Sequence, residues 1–177
     1  QQHSGEIASY LINRGEISYH LNYFSQTNQQ FPQTIDDLGS GPSMSYNAYQ
    51  EFQPELERSG VKAPTIIDIE KNESMFTNGN NPNKIQQDIT KPLPFSDKQV
   101  DLVQSTFVFH WLKPQETLQS LIETNRITKI GGHLCLICRE PFSNSFISAV
   151  EQLGYQVITE HGEILSPNQK MLDAITQ

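Results

Sequence analysis

Three apolar runs set the architecture: TIIDI at 65–69, VDLVQSTFVFHW at 100–111 and HLCLIC at 133–138. They are rich in β-branched and apolar residues, and none keeps the apolar–polar alternation of a strand with one wet face, so each reads as a strand buried on both sides. Between them the period changes. ETLQSLIETNRI at 116–127 places Leu118, Leu121, Ile122 and Asn125 on one helical face, and SFISAVEQLGYQVITE supplies a helix ended by Gly154 and one more strand. Upstream, TIDDL before Gly39 reads as a short strand, Met44 to Phe52 as a helix stopped near Pro54, and KIQQDI at 84–89 as a weaker strand; Gly131-Gly132 turns the chain into HLCLICRE. Strands with no wet face need helices on both sides. The pattern therefore predicts an α/β, doubly wound, mostly parallel sheet.

Composition narrows the partners. Twelve Lys plus Arg against twenty Asp plus Glu give a formal charge of -8, with no basic block to track a phosphate backbone, so nucleic acid is disfavoured. No apolar stretch approaches the roughly 20 residues that span a bilayer, and no basic-then-apolar signal pattern opens the chain. The expectation is a cytoplasmic protein with no membrane partner. The only cysteines, Cys135 and Cys138, would point to opposite faces of one strand as buried thiols, and no metal site is expected. A length of 177 residues suits a single domain over 31–177. The first 30 residues carry Ile7, Tyr10, Leu11, Ile17, Leu21 and Phe24 at helical spacing and read as an amino-terminal helical segment.

In such a sheet ligands bind at the carboxyl ends of the strands, which directs attention to the loops there. The first is DDLGSGPSMSY at 36–46. Gly39 and Gly41 permit positive φ and close backbone approach, and the free N–H groups of a following helix favour an anionic group; a tight strand-to-helix turn needing glycine for geometry alone reads equally well. Asp68 ends TIIDI, where a carboxylate can accept from both hydroxyls of a ribose. Asp88 ends the next strand, ahead of LPFSDKQVDLV.

At DITKPLPFSDKQVDLVQSTFVFHWL, 88–112, followed by ITKIGGHLCLI, 127–137, the chain resembles the class I S-adenosylmethionine-dependent methyltransferases, in particular their small-molecule group. The resemblance spans roughly 34–160. It implies a Rossmann-like seven-stranded sheet whose last strand is antiparallel, S-adenosylmethionine as cofactor, and methyl transfer to a small-molecule acceptor. Residue by residue, it implies that Asp37, Gly39 and Gly41 receive the amino-acid end of the cofactor. Asp68 would hold the ribose, Asp88 with the Ile89 backbone would meet the adenine edge, and Phe107 would sit beside the cofactor. In similar proteins the amino-terminal helix folds over the pocket as a lid, which would give Tyr19 and Tyr23 a place there.

The chain also departs from that family's pattern. Ser43 replaces the third glycine, Asp36 stands where an aliphatic residue is usual, and Asp68 lies 68 − 39 = 29 positions beyond Gly39, with EFQPELERSGVKAP taking up the extra length. The tail PNQKMLDAITQ looks helical, leaving a seventh strand short or missing. These departures support an alternative function, a catalytically silent methyltransferase-like domain acting as a binding or assembly subunit, and they leave a protein partner open. His110 is the catalytic candidate: it follows the fourth strand, and an imidazole titrating near pH 6.5 can take a proton from a nucleophile. Packing of His110 and Trp111 against the neighbouring helix is the competing reading.

Overall fold

The computed structural model describes residues 23–139, 142–161 and 170–177. Its strands are β1 (Thr34–Leu38), β2 (Thr65–Glu70), β3 (Lys84–Gln86), β4 (Val100–Thr106), β5 (Thr128–Cys138), β6 (Tyr155–His161) and β7 (Lys170–Thr176). Its helices are α1 (Met44–Arg58), α2 (Glu73–Asn78), α3 (Pro114–Ile127) and α4 (Asn144–Gln152), and residues 23–28 are helical as well. The strands form one sheet in the order β3-β2-β1-β4-β5-β7-β6. All neighbours are parallel except β7, which runs antiparallel to both β5 and β6. The order reverses between β1 and β4, and that switch point is where such a sheet opens a crevice.

Alternation along the strands divides the core in two. One face packs Leu38, Ile69, Val103 and Leu134 against Leu121 of α3 and Val150 of α4. The other packs Ile35, Ile66 and Leu102 against Ala48, Tyr49 and Leu56 of α1, with Phe24 from the 23–28 helix. Cys135 and Cys138 are buried in β5 and not joined in a disulfide, and only Cys138 joins the Leu38 face. The 23–28 helix is fixed to the sheet by His133, whose Nε2 lies 3.0 Å from Thr27 Oγ1 and whose ring meets that of Phe24 at 4.9 Å. The Tyr19 expectation lies outside the described residues. Among those residues, no helix is long and apolar enough to cross a membrane.

Four local expectations are corrected. First, α1 does not stop near Pro54 but runs through it to Arg58. Pro54 and Gln50, the residue whose carbonyl loses its partner, are both exposed, so water can satisfy that carbonyl, while Leu56 extends the buried face past the proline. Second, β4 ends at Thr106, and Phe109–Trp111 form a 3-10 turn instead of continuing the strand. Third, β5 begins at Thr128, before the glycine pair, and its register against β4 shifts between Val100 and Leu102. Gly131 has φ +83, and a side chain on Gly132 would approach Lys129 O at 2.7 Å, so the pair shapes an irregularity within the strand. Fourth, the tail is not helical: β7 is a seven-residue strand inserted between β5 and β6. Leu172, Ala174 and Thr176 are buried at a spacing of two, and the ladder offered on both sides overrides the local helical pattern.

The LPF stretch turns out to be a fastening. Leu93 and Phe95 are buried in the core, Leu93 N–H donates to Glu123 Oε1 at 2.7 Å, and Arg126 Nη1 donates to Phe95 O at 2.8 Å. Arg126 Nε also donates to Glu123 Oε2 at 2.6 Å, and this bond above all holds the Glu123 carboxyl below its usual range. The loop that carries Asp88 is thereby tied to α3.

Candidate functional site

The carboxyl ends of the strands line one open cleft of ≈ 1070 Å³. The turn after β1 forms its floor. Gly39 and Gly41 have φ +69 and +58, and the N–H groups of Gly39 and Ser40 donate to Ile69 O at 2.8 and 3.1 Å, tucking the turn against β2. A side chain on Gly39 would collide with Val108 Cγ2, whereas one on Gly41 would meet nothing within 4 Å and would stand in open space. Geometry accounts for Gly39. Gly41 leaves room for something else, as a cradle for a ligand requires.

The acid that reaches this turn is Glu70. Its Oε1 accepts the Gly41 N–H at 2.8 Å, its Oε2 accepts the Asn72 N–H at 2.9 Å, and the residue lines the cleft although only 9% exposed. Asp68, two residues earlier on the same side of β2, is not part of the lining. Its Oδ2 accepts from Ser43 Oγ at 2.7 Å. Ser43 in turn takes the Asn81 N–H at 3.2 Å, so the residue that replaces the third glycine ties α1 to β2 and to the turn after α2. Burial pushes the Asp68 carboxyl up, partly offset by the hydrogen bonds to Ser43 and Asn81. Asp36, on the opposite face of β1, is wholly buried, and among the described residues neither carboxylate oxygen has a hydrogen-bond partner; burial first, and then the charge of Asp68, raise its pKa well above the usual range.

Asp37, Gly39, Gly41, Asp88, Ile89 and Phe107 all line the cleft. Asp88 Oδ1 accepts from the Thr90 N–H at 2.9 Å and the Thr90 hydroxyl at 2.8 Å. Burial pushes that carboxyl up, but the Thr90 donors outweigh it and its pKa falls below the ordinary value. Ile89 is held from below, its carbonyl accepting Ser120 Oγ at 2.9 Å. Phe107 has φ +60, a rare conformation for a bulky residue, fixed by its N–H donating to Ile137 O at 2.8 Å. His110 lies outside the lining; its ring is 5.0 Å from Trp111 and 6.3 Å from Phe107. Six of the eight site residues expected from the sequence thus meet in one cleft, and Glu70, Trp111 and Arg139, which the sequence did not mark as site residues, also line it. Glu70 was within reach of that reading, since it is the last residue of the strand that contains Asp68.

A strand-end glycine turn, an acid at the tip of the adjoining strand and a second acid after β3 meet at the point where the strand order reverses, the place where α/β sheets of this kind bind ligands. Residues 37–136, more than half of the chain, match the family described as methyltransferase domain. The chain belongs to that family. An uncharacterized methyltransferase of Schizosaccharomyces pombe is 29% identical over 129 residues, which is 70% of this chain. The chain spans 43% of that longer relative. Among solved structures, a SAM-dependent methyltransferase from Archaeoglobus fulgidus superimposes with a TM-score of 0.66 at 14% identity, covering 94% of both chains. One from Aquifex aeolicus gives 0.61 at 19% identity over 82% of both. At those identities the likeness establishes the fold of this methyltransferase domain.

Proposed function

We propose that the cleft binds S-adenosylmethionine and serves methyl transfer to a small-molecule acceptor. The observation that carries this reading is Glu70, a nearly buried carboxylate at the tip of β2 with each oxygen fixed by one N–H, one of them from the glycine turn itself. A carboxylate so fixed keeps lone pairs for two neighbouring hydroxyls of a ribose. That role falls to Glu70 in this reading, not to Asp68, whose carboxylate is engaged by Ser43 behind the turn. Asp37, Gly39 and Gly41 receive the amino-acid end, Asp88 and the Ile89 backbone the adenine edge, and Phe107 the side of the cofactor nearest the acceptor. When bound, the cofactor supplies an electrophilic methyl group on a sulfonium. The protein's own part is then alignment and exclusion of water, worth several kcal/mol of barrier without a metal or an activating base. His110 receives no proton in this scheme, since it lies outside the cleft lining, with its ring edge-on to Phe107 and tilted against Trp111.

The silent-domain alternative rests on Ser43, Asp36 and a short carboxyl end; β7, a seven-residue strand paired on both sides, removes the last of these and leaves Ser43 and Asp36. Both are buried away from the cleft, and Ser43 has a partner that accounts for it, so neither supplies a reason for the cleft to be closed to a ligand. Calorimetry with S-adenosylhomocysteine tests the proposal. Binding should be measurable in the wild type, and Glu70→Ala should weaken it by about 1.5–3 kcal/mol, the range for hydrogen bonds to a charged group. Asp68→Asn should leave affinity nearly unchanged. No binding to the folded wild type at millimolar ligand would sink the reading, and a loss on Asp68→Asn with none on Glu70→Ala would return the ribose to Asp68.

A further inference from the structure

At the end of the cleft formed by β4 and β5, the strained Phe107 carries a cation. The guanidinium of Arg139 stands over the Phe107 ring, 5.1 Å from its centroid, and both residues line the cleft. Trp111 lines the same end and is 75% exposed, so its indole is open to a bound molecule. Among the described residues no carboxylate pairs with Arg139. The acid on this rim, Glu116, is engaged elsewhere, its Oε1 accepting the Lys113 N–H at 2.9 Å in the cap of α3. The other acids of the lining belong to the β1, β2 and β3 ends: Asp37, Glu70 and Asp88.

The cleft is therefore polarised. Its β1–β3 end offers glycines and carboxylates to a nucleoside, and its β4–β5 end offers a planar cation on an aromatic platform beside an open indole. We infer that this end selects an acceptor carrying a carboxylate next to an apolar or planar body, with Arg139 as its specificity-determining residue. The guanidinium fork matches a carboxylate with two parallel N–H···O bonds, and its place over the Phe107 ring spares part of the ordering cost of an arginine side chain. Trp111 covers the apolar body. The backbone strain at Phe107 has a use here, because the left-handed residue puts its ring beneath Arg139. The inference rests on the methyltransferase reading only in calling the bound molecule an acceptor; the recognition itself stands on Arg139, Phe107 and Trp111.

Trp111 is the only tryptophan in the chain, so its emission reports on this end of the cleft directly. With the protein saturated in S-adenosylhomocysteine at pH 8, phenylacetate should change Trp111 emission saturably, with a Kd at least 10-fold below that of the neutral isostere phenylacetamide. Arg139→Ala should bring the two probes to equal Kd without altering S-adenosylhomocysteine affinity, and Arg139→Lys should recover only part of the preference. Equal affinities in the wild type, no saturable response to either probe, or a preference that survives Arg139→Ala would overturn the inference. If S-adenosylhomocysteine itself fails to bind, the methyltransferase reading falls, while the same titration without it still decides the role of Arg139.

Discussion

Ser43 sits at φ +64 and Oγ lies 2.7 Å from the Asp68 carboxylate, so replacing it with glycine sets two effects of opposite sign against each other. Removing the side chain relieves left-handed strain of about 1–2 kcal/mol, reduced by the extra backbone freedom glycine brings to the unfolded chain, roughly 0.5–1 kcal/mol. It also deletes a buried hydrogen bond to a carboxylate, worth about 1.5–3 kcal/mol, and strips Asn81 N–H of its acceptor. The second effect wins. Ser43→Gly should destabilise the protein by about 1–2 kcal/mol, lowering Tm by roughly 2–8 °C for a chain of this size. Ser43→Ala keeps the strain and loses the bond, so it should be the worse of the two by about 1 kcal/mol. Calorimetric melting of the three proteins at pH 7 settles the order, and affinity for S-adenosylhomocysteine should differ among them by less than about fivefold because Ser43 is outside the cleft. A Ser43→Gly variant as stable as the wild type or more stable would refute the clamp and restore the view that the serine is a defect in the turn.

Asp36→Asn should stabilise the protein at neutral pH. The unfolded chain releases the Asp36 proton near pH 3.9 while the native state holds it to higher pH, so the stability contributed by this group is complete in acid and is lost as pH rises from about 4 through the raised native value. Urea melts of the two proteins between pH 4 and 8 should therefore diverge with rising pH, and parallel curves would contradict the assignment. Gly39→Ala combines a left-handed φ with a collision at Val108 and should cost about 2–4 kcal/mol, against about 1–2 for Gly41→Ala, where space is open. Equal losses at the two positions, read by thermal denaturation, would show that the turn can move off β4.

Much of the cleft was legible in the sequence because its parts are local. TIIDI and the apolar run that begins VDLVQST read as buried strands, TIDDL reads as a short strand by its place before Gly39, and Gly39 and Gly41 mark where that strand must turn. Asp37, Asp88, Ile89 and Phe107 came from the resemblance to a family, and each stands at or just beyond the carboxyl end of β1, β3 or β4. Strand ends, however, were not decided locally. β2 continues two residues past Asp68 because β3 pairs with it through Glu70, and that short extension hands the cleft to Glu70 and buries Asp68 behind it. The tail shows the same dependence: KMLDAIT has a helical look in isolation and becomes β7 because β5 and β6 leave a gap with unpaired backbone on both sides. Arg139 gave no signal at all in one dimension. The sequence determined the alternation of buried strands and helices, and with it the glycine turn and the class of fold, because periodicity and backbone freedom are properties of neighbouring residues. Which acid faces the cleft, what Ser43 holds, and where Arg139 stands were decided only by the tertiary structure, because each depends on the register between strands that are far apart in the chain.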